Sequence, residues 1–294
     1  LWFFLICKER VMQSVETPSV KASIKSIINN KPILLMTLSQ ILGSFAVGGS
    51  KQDYYIDVLN FASLGLITGI PGSIINPFSY MAVPWFRRHF SSRFLYIIGN
   101  KIDGILLVPV FLVGCIGGKK HGLYKNIWVM GIAMMLWETI FMIFYGVRRI
   151  IPTEMYNEAM DYCEWKNGYR TEGMTSVAQG LASKLASIFS RYISNYIKQL
   201  IGYDLTRYVR GTAQTDETKF GLFAMFTIVP FLTGMVSIIP MLFYDLSGKK
   251  KEKMYEELLE RRAAMSKEAT SGDLEALERL AKAQMEIGNM KQEL

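Results

Sequence analysis

The sequence predicts an all-α, polytopic membrane protein: six spanning helices within residues 32–245, a helix end and basic loop before them (1–31), and a charged helical tail after them (246–294). Three observations carry this. Half of the 294 residues are hydrophobic and only 20% are charged. The charge is uneven, since 20 of the 46 residues from Lys249 onward are charged and cancel, leaving the net +8 to the body. The apolar stretches of the body recur at lengths close to the roughly 20 helical residues that cross a bilayer core. An ordinary water-soluble domain is excluded. A nucleic-acid role is disfavoured too, because excess positive charge on a membrane protein gathers in cytoplasmic loops.

In chain order, Leu1-Trp-Phe-Phe-Leu-Ile6 is too short to span and runs into Lys8-Glu9-Arg10. It reads as the end of a helix whose beginning is missing, and the chain as a fragment. A signal peptide is disfavoured because the charge follows the apolar segment. The six spans fall at about 32–50, 61–83, 94–117, 127–147, 173–197 and 220–244. Alternate connections carry Lys8, Arg10, Lys21, Lys25 and Lys31; Arg87, Arg88 and Arg93; Arg148, Arg149, Lys166 and Arg170; and the cluster Lys249–Lys253. These are expected on the cytoplasmic side of a cell membrane, together with the C-terminus. Opposite connections carry Lys51 alone, then Lys119, Lys120 and Lys125, then Lys198, Arg207, Arg210 and Lys219, so the bias is real but not clean.

Pro71 and Pro77, with Gly72 and Asn76, predict a kinked or broken second span. In the fifth, Ser176, Gly180, Lys184, Ser187, Arg191 and Asn195 share one helical face. Two cations in that stripe favour the wall of an aqueous cavity over close packing alone, since an unpaired cation at depth costs from about 3 kcal/mol upward. Glu138 reaches similar depth on the preceding helix, so the two are candidates to pair or to share the cavity in a state-dependent way. The alternatives are a protonated, packed Glu138, or a Lys184 that meets carboxylates of a missing half. In the tail, Glu256–Arg262 and a second segment at about 273–287 predict a solvated helix pair. Cys7, Cys115 and Cys163, and His89 and His121, are isolated and suggest no metal site, cofactor or enzymatic centre.

Between the fourth and fifth spans, Pro152 suits the first turn of a helix, and Glu154, Glu158, Asp161 and Glu164 follow at spacings of 4, 3 and 3. Gly168 is placed to end that helix in a left-handed conformation. Such an acidic face beside Lys166 and Arg170 can form ion pairs that make and break as helical bundles rock.

The segment Asp161-Tyr162, Glu164-Trp165-Lys166, Gly168, Arg170 and Glu172-Gly173 resembles the signature of the glycoside–pentoside–hexuronide:cation symporter family, to which the melibiose permease belongs, within the major facilitator superfamily. The resemblance covers most of residues 1–245. It implies the C-terminal six-helix bundle (helices 7–12) of a twelve-helix secondary transporter, with a missing N-terminal half supplying most cation ligands. Sugar or glycoside would enter with Na⁺ or H⁺ by alternating access. The permease's helix 11 carries a lysine near the sugar and cation sites, which matches Lys184, and a polar position that matches Gln179. Gln40, Asn76, Glu138 and Arg191 are the further polar candidates for the cavity, and Trp137 a candidate aromatic face for sugar. The motif residues are expected at a cytoplasmic gate. Competing readings are transport of a lipid or other amphipathic solute, and a non-transporting anchor for a docking tail.

Overall fold

A computed structural model describes residues 25, 27–209, 212–271 and 279. Residues 1–6, Cys7, Lys8, Arg10, Lys21, Arg210 and the tail segment 273–287 lie outside the described set, apart from Arg279. All regular elements among the described residues are helical. In order they are α1 (Lys31–Ser44), α2 (Lys51–Asp57), α3 (Leu64–His89), α4 (Ser92–Gly114), α5 (Gly118–His121), α6 (Ile127–Ile143), α7 (Tyr145–Asn167), α8 (Glu172–Leu200), α9 (Leu205–Val209), α10 (Asp216–Gly234), α11 (Ile238–Leu242) and α12 (Lys249–Ser271). Single 3₁₀ turns precede α6 and α11.

Each predicted span falls largely on helix, but not all are equally apolar. Three stretches among the described residues are long and apolar enough to cross a membrane: Ser92–Gly114, Ile127–Asn167 and Asp216–Leu242. The other three predicted spans depart for visible reasons. α1 has only 14 residues, α3 carries Pro71, Pro77 and Pro84, and α8 carries Lys184, Arg191 and Lys198.

The chain divides into two compact units. The larger comprises 38–154 and 181–242. Several of its helices start where side chains satisfy orphan N–H groups. Ser91 caps α4, Asn126 accepts from the amides of Trp128 and Val129 at the start of α6, and Thr215 caps α10. The core is aromatic: Tyr54 stacks on Phe226 at 5.8 Å and Tyr124 on Phe223 at 5.4 Å. Tyr54 donates its hydroxyl to the Tyr124 carbonyl at 2.6 Å, so the buried phenol is satisfied. Gly114 makes room for Phe223, whose Cζ would lie 2.3 Å from an added Cβ.

The second predicted span is not broken. α3 runs continuously through its three prolines, and Asn76 keeps a buried Oδ1 without a hydrogen-bond partner. Its small residues serve close packing instead. Gly69 faces the Glu138 carboxylate and Gly72 faces Met142. At Gly146, the first turn of α7 meets the α3 backbone: an added Cβ would fall 2.6 Å from the Ser79 carbonyl oxygen, and the Gly146 amide donates to Ser79 Oγ at 3.0 Å. Gly146→Val should therefore lower stability by about 1–3 kcal/mol, the range for overpacking. Gly180 has open space around its Cβ position, so Gly180→Ala should hold or raise stability. Thermal unfolding in nanodiscs checks both; equal behaviour of the two variants would contradict the close crossing.

The first span is broken where the sequence suggested continuity. α1 ends at Ser44, residues 45–50 are unwound around Gly48-Gly49, and Ser50 caps α2 by accepting from the Gln52 amide. Freed backbone groups at such depth need internal partners, and they have them. Ser190 donates to the Ala46 carbonyl at 2.7 Å, the Val47 amide donates to Thr233 Oγ1, the Gly48 amide to Ser194 Oγ, and the Gly49 amide to the Met225 carbonyl. The glycines are required by proximity, because a Cβ on Gly48 would sit 2.6 Å from Pro230. Ala186, Ser190 and Ser194 thus form the buried face of α8, while Lys184, Arg191 and Asn195 are exposed.

The smaller unit comprises the described parts of 1–37, 155–180 and 243–294. Pro152 does not open a helix. It lies inside α7, which begins at Tyr145 because only Phe144 interrupts the run from α6. Gly168 ends α7 as its position suggested, with φ 82° and its amide donating to the Glu164 carbonyl at 2.8 Å. The tail differs from expectation: α12 is not a solvated helix, because Met254, Leu258 and Met265 are buried.

Candidate functional site

In the larger unit, the restart of the broken helix places a cation among aromatic rings. Lys51, the first residue of α2, pairs with Glu138 at 3.0 Å and lies 5.7 and 5.6 Å from the ring centroids of Tyr55 and Trp137. Thr68 donates to the same Glu138 oxygen at 3.3 Å. Charge pairing, a hydroxyl and two ring faces together compensate a lysine drawn into a helical interior. Trp137 is buried and donates its Nε1 to the Asp103 carbonyl at 3.2 Å. Asp103 stands 4.0 Å from Arg148, with one carboxylate oxygen buried and unpartnered. Lys101 donates to the Gly234 carbonyl. A cavity of about 390 Å³ opens among these groups, lined by Lys51, Asn100, Lys101, Asp103, Trp137 and Phe231, among others.

The candidate Lys184–Glu138 pair is not formed. Glu138 belongs to Lys51, which is nearer because the break after Ser44 turns the chain inward, whereas Lys184 is exposed on α8 with no carboxylate partner among the described residues. Arg191 and Gln40 are likewise exposed, and no hydrogen bond or ion pair among the described residues links them to Glu138. Of the residues singled out for the cavity, Glu138 and Trp137 come together, through Lys51. Gln179 lies in the other unit and donates to Thr37 Oγ1 at 2.6 Å.

Lys51, Lys101 and Asp103 were not singled out by the sequence reading. Lys51 falls one residue beyond a span drawn as continuous to 50. Lys101 and Asp103 lie mid-helix in an otherwise apolar α4, and the rule that drew attention to Lys184, that charge at depth is costly and therefore functional, selects them as well.

The motif residues converge in the smaller unit. Arg170 pairs with Asp161 at 2.9 Å and Glu164 at 3.6 Å, and with Glu172, whose place in the first turn of α8 also suits the helix dipole. A second arginine, from α12, takes the same acceptors. Arg262 meets Asp161 at 2.9 Å and both oxygens of Glu164, at 2.6 and 3.1 Å. The hydrogen-bonded Glu164 carboxylate, and then Asp161, hold its guanidinium above the usual arginine range. Trp165 donates to Glu257 at 2.7 Å, Lys251 pairs with Glu158, and Lys250 lies over the Tyr162 ring. Lys166 donates to the Asn29 carbonyl at 3.2 Å. Gly173 has open space at its Cβ position, so nothing in the structure explains that glycine. The sequence contained a signal for α12: Met254, Leu258 and Met265 are spaced 4 and 7 apart, a helical face that its balanced charge obscured.

The family described as MFS/sugar transport protein matches residues 2–248. The chain belongs to that family. This MFS-type chain is a multi-pass membrane protein, as its apolar helices require. It is 23% identical to a glucuronide carrier protein homolog of Escherichia coli (strain K12) over 87% of this chain and 54% of that protein. A putative sulfoquinovose importer of Salmonella typhimurium is 25% identical over 89% and 53% of the two chains, respectively. An isoprimeverose transporter of Lactiplantibacillus pentosus is 24% identical over 89% and 52%. The chain spans about half the length of the curated relatives it matches. These relatives are transporters, not enzymes.

Proposed function

We propose that this chain provides the C-terminal six-helix bundle of a sugar or glycoside transporter of the cell membrane, driven by co-entry of Na⁺ or H⁺ through alternating access. The broken first helix, repartnered by α8 and α10 and carrying Lys51 into contact with Glu138, is the observation that best supports a transport role. Discontinuous helices with irregular backbone beside a cavity are how secondary transporters hold solutes at depth. A mere anchor has no use for such charges. The docked α12 also counts against a free docking tail, since its buried face and its arginine are already engaged within the chain.

In this reading the motif and α12 form a cytoplasmic gate, and the basic loops set the orientation. Cysteines replacing Arg88 and Lys250 should react only from the cytoplasmic side, and one replacing Tyr124 only from outside; labelling of Arg88→Cys by an impermeant reagent on intact cells contradicts the orientation. Function is tested by co-expressing the chain with a matching first half and measuring uptake of labelled glucuronate and isoprimeverose under imposed Na⁺ or H⁺ gradients. Uptake that collapses with one gradient is expected. Uptake indifferent to both gradients would remove the coupling, and absence of any sugar uptake alongside uptake of an amphipathic solute would favour the lipid-type reading.

A further inference from the structure

The charges around the interior cavity do not balance. Lys51 is matched by Glu138 at 3.0 Å, and Arg148 by Asp103 at 4.0 Å. Lys101 remains. Its ammonium meets the Gly234 carbonyl and has no carboxylate partner among the described residues. An ammonium has three donors, so this contact leaves two unused. Lys101 lies nine residues into α4, roughly 14 Å along a helix rising 1.5 Å per residue, so the free charge sits at depth. Intramembrane cations held by backbone carbonyls or carboxylates mark substrate and ion pathways.

The cavity gives that charge a place to act. Its volume of about 390 Å³ is within the range of small-molecule sites, and its wall offers Lys51, Asn100 and Lys101 against a single carboxylate, Asp103. Asn100 donates to the Tyr96 carbonyl and leaves its own amide oxygen, while Trp137 and Phe231 supply flat apolar wall. A cation would meet two lysines there. An anionic group meets Lys101 with unused donors.

We infer that this cavity is a site for an oxyanion group, carboxylate or sulfonate, held by Lys101. The group arrives on an acidic sugar or as a free ion; the acidic-sugar case rests on the sugar-transport reading above, whereas the anion site itself does not. The Asp103 carboxylate, 4.0 Å from Arg148, lowers the affinity by occupying the same field.

The test uses the full chain in nanodiscs, titrated calorimetrically with glucuronate, glucose and inorganic sulfate, with thermal unfolding as the check on folding. Saturable binding of glucuronate or sulfate is expected, weakened roughly tenfold or more in Lys101→Gln, the loss typical of one charged hydrogen bond, and largely retained in Lys101→Arg. Asp103→Asn should tighten anion binding several-fold, a change opposite to what a merely destabilised pocket would show. Should Lys101→Gln not fold, that tightening decides the matter. Glucuronate binding without sulfate binding assigns the group to an acidic sugar; sulfate binding without glucuronate binding assigns it to a free ion. Glucose binding equal to that of glucuronate, and unchanged in Lys101→Gln, overturns the anion site while leaving the sugar reading in place. No binding of either anion by the folded chain overturns the proposal.

Discussion

Glu138→Ala should destabilise the chain by about 3 kcal/mol, the low end for removing one partner of a buried ion pair, because Lys51 keeps a third of its side chain exposed. The loss has two sources. Lys51 is left charged against Tyr55 and Trp137 without its carboxylate, and Thr68 loses an acceptor. Lys51→Met alone should cost a comparable amount by stranding Glu138 beside α3, where Gly69 brings the backbone close. The double variant Lys51→Met/Glu138→Leu leaves neither charge, and should recover to within about 1 kcal/mol of the parent. Thermal unfolding of the four proteins closes the cycle. Strictly additive losses would contradict the pairing. If folding returns while uptake does not, the pair serves transport as well as stability.

The second large effect belongs to Asp161. This carboxylate accepts from both Arg170 and Arg262 at 2.9 Å and from the Tyr255 hydroxyl at 3.4 Å. Asp161→Ala removes an acceptor common to Arg262 of α12 and Arg170 just before α8, leaving Glu164 between both guanidinium groups and Glu172 on Arg170 alone. Hydrogen bonds to charged groups contribute about 1.5–3 kcal/mol each. In the assembled transporter, uptake should fall roughly tenfold or more, while equilibrium sugar affinity stays within about twofold. Proteolysis should cut within 249–271 sooner than in the parent, reporting release of α12. A loss of affinity equal to the loss of uptake would show that the motif touches the ligand and is not a gate.

Much of this was legible because membrane helices announce themselves. Apolar length placed every helix that could span, and Gly168 was readable as a left-handed stop because little else fits there. The motif was readable because its acidic spacing puts Asp161 and Glu164 within reach of one guanidinium. The break at 45–50 was not, since an apolar run of this composition does not say where its backbone will find partners on other helices. Those partners, Ser190, Ser194 and Thr233, lie about 145 to 186 residues away in sequence. Missing the break hid Lys51, and hiding Lys51 left Glu138 to be assigned to Lys184. The polar stripe of α8 was real as a pattern, but the buried face is the Ala186–Ser190–Ser194 edge, where small side chains allow close approach. α12 was misjudged because its charges were counted as solvated, when Arg262, Glu257 and Lys251 each have a partner on α7.

As proposed above, the chain forms one wall of a sugar pathway that opens alternately to the two sides of the membrane. Lys184, exposed on α8, is the position that tests it most directly. Lys184→Cys is introduced into the transporter completed by its first half, and labelled with an impermeant thiol reagent in right-side-out and inside-out vesicles. Labelling from both sides is expected, with a saturating transported sugar shifting the ratio of the two rates several-fold. Labelling from one side only, at a rate that no sugar changes, would contradict it.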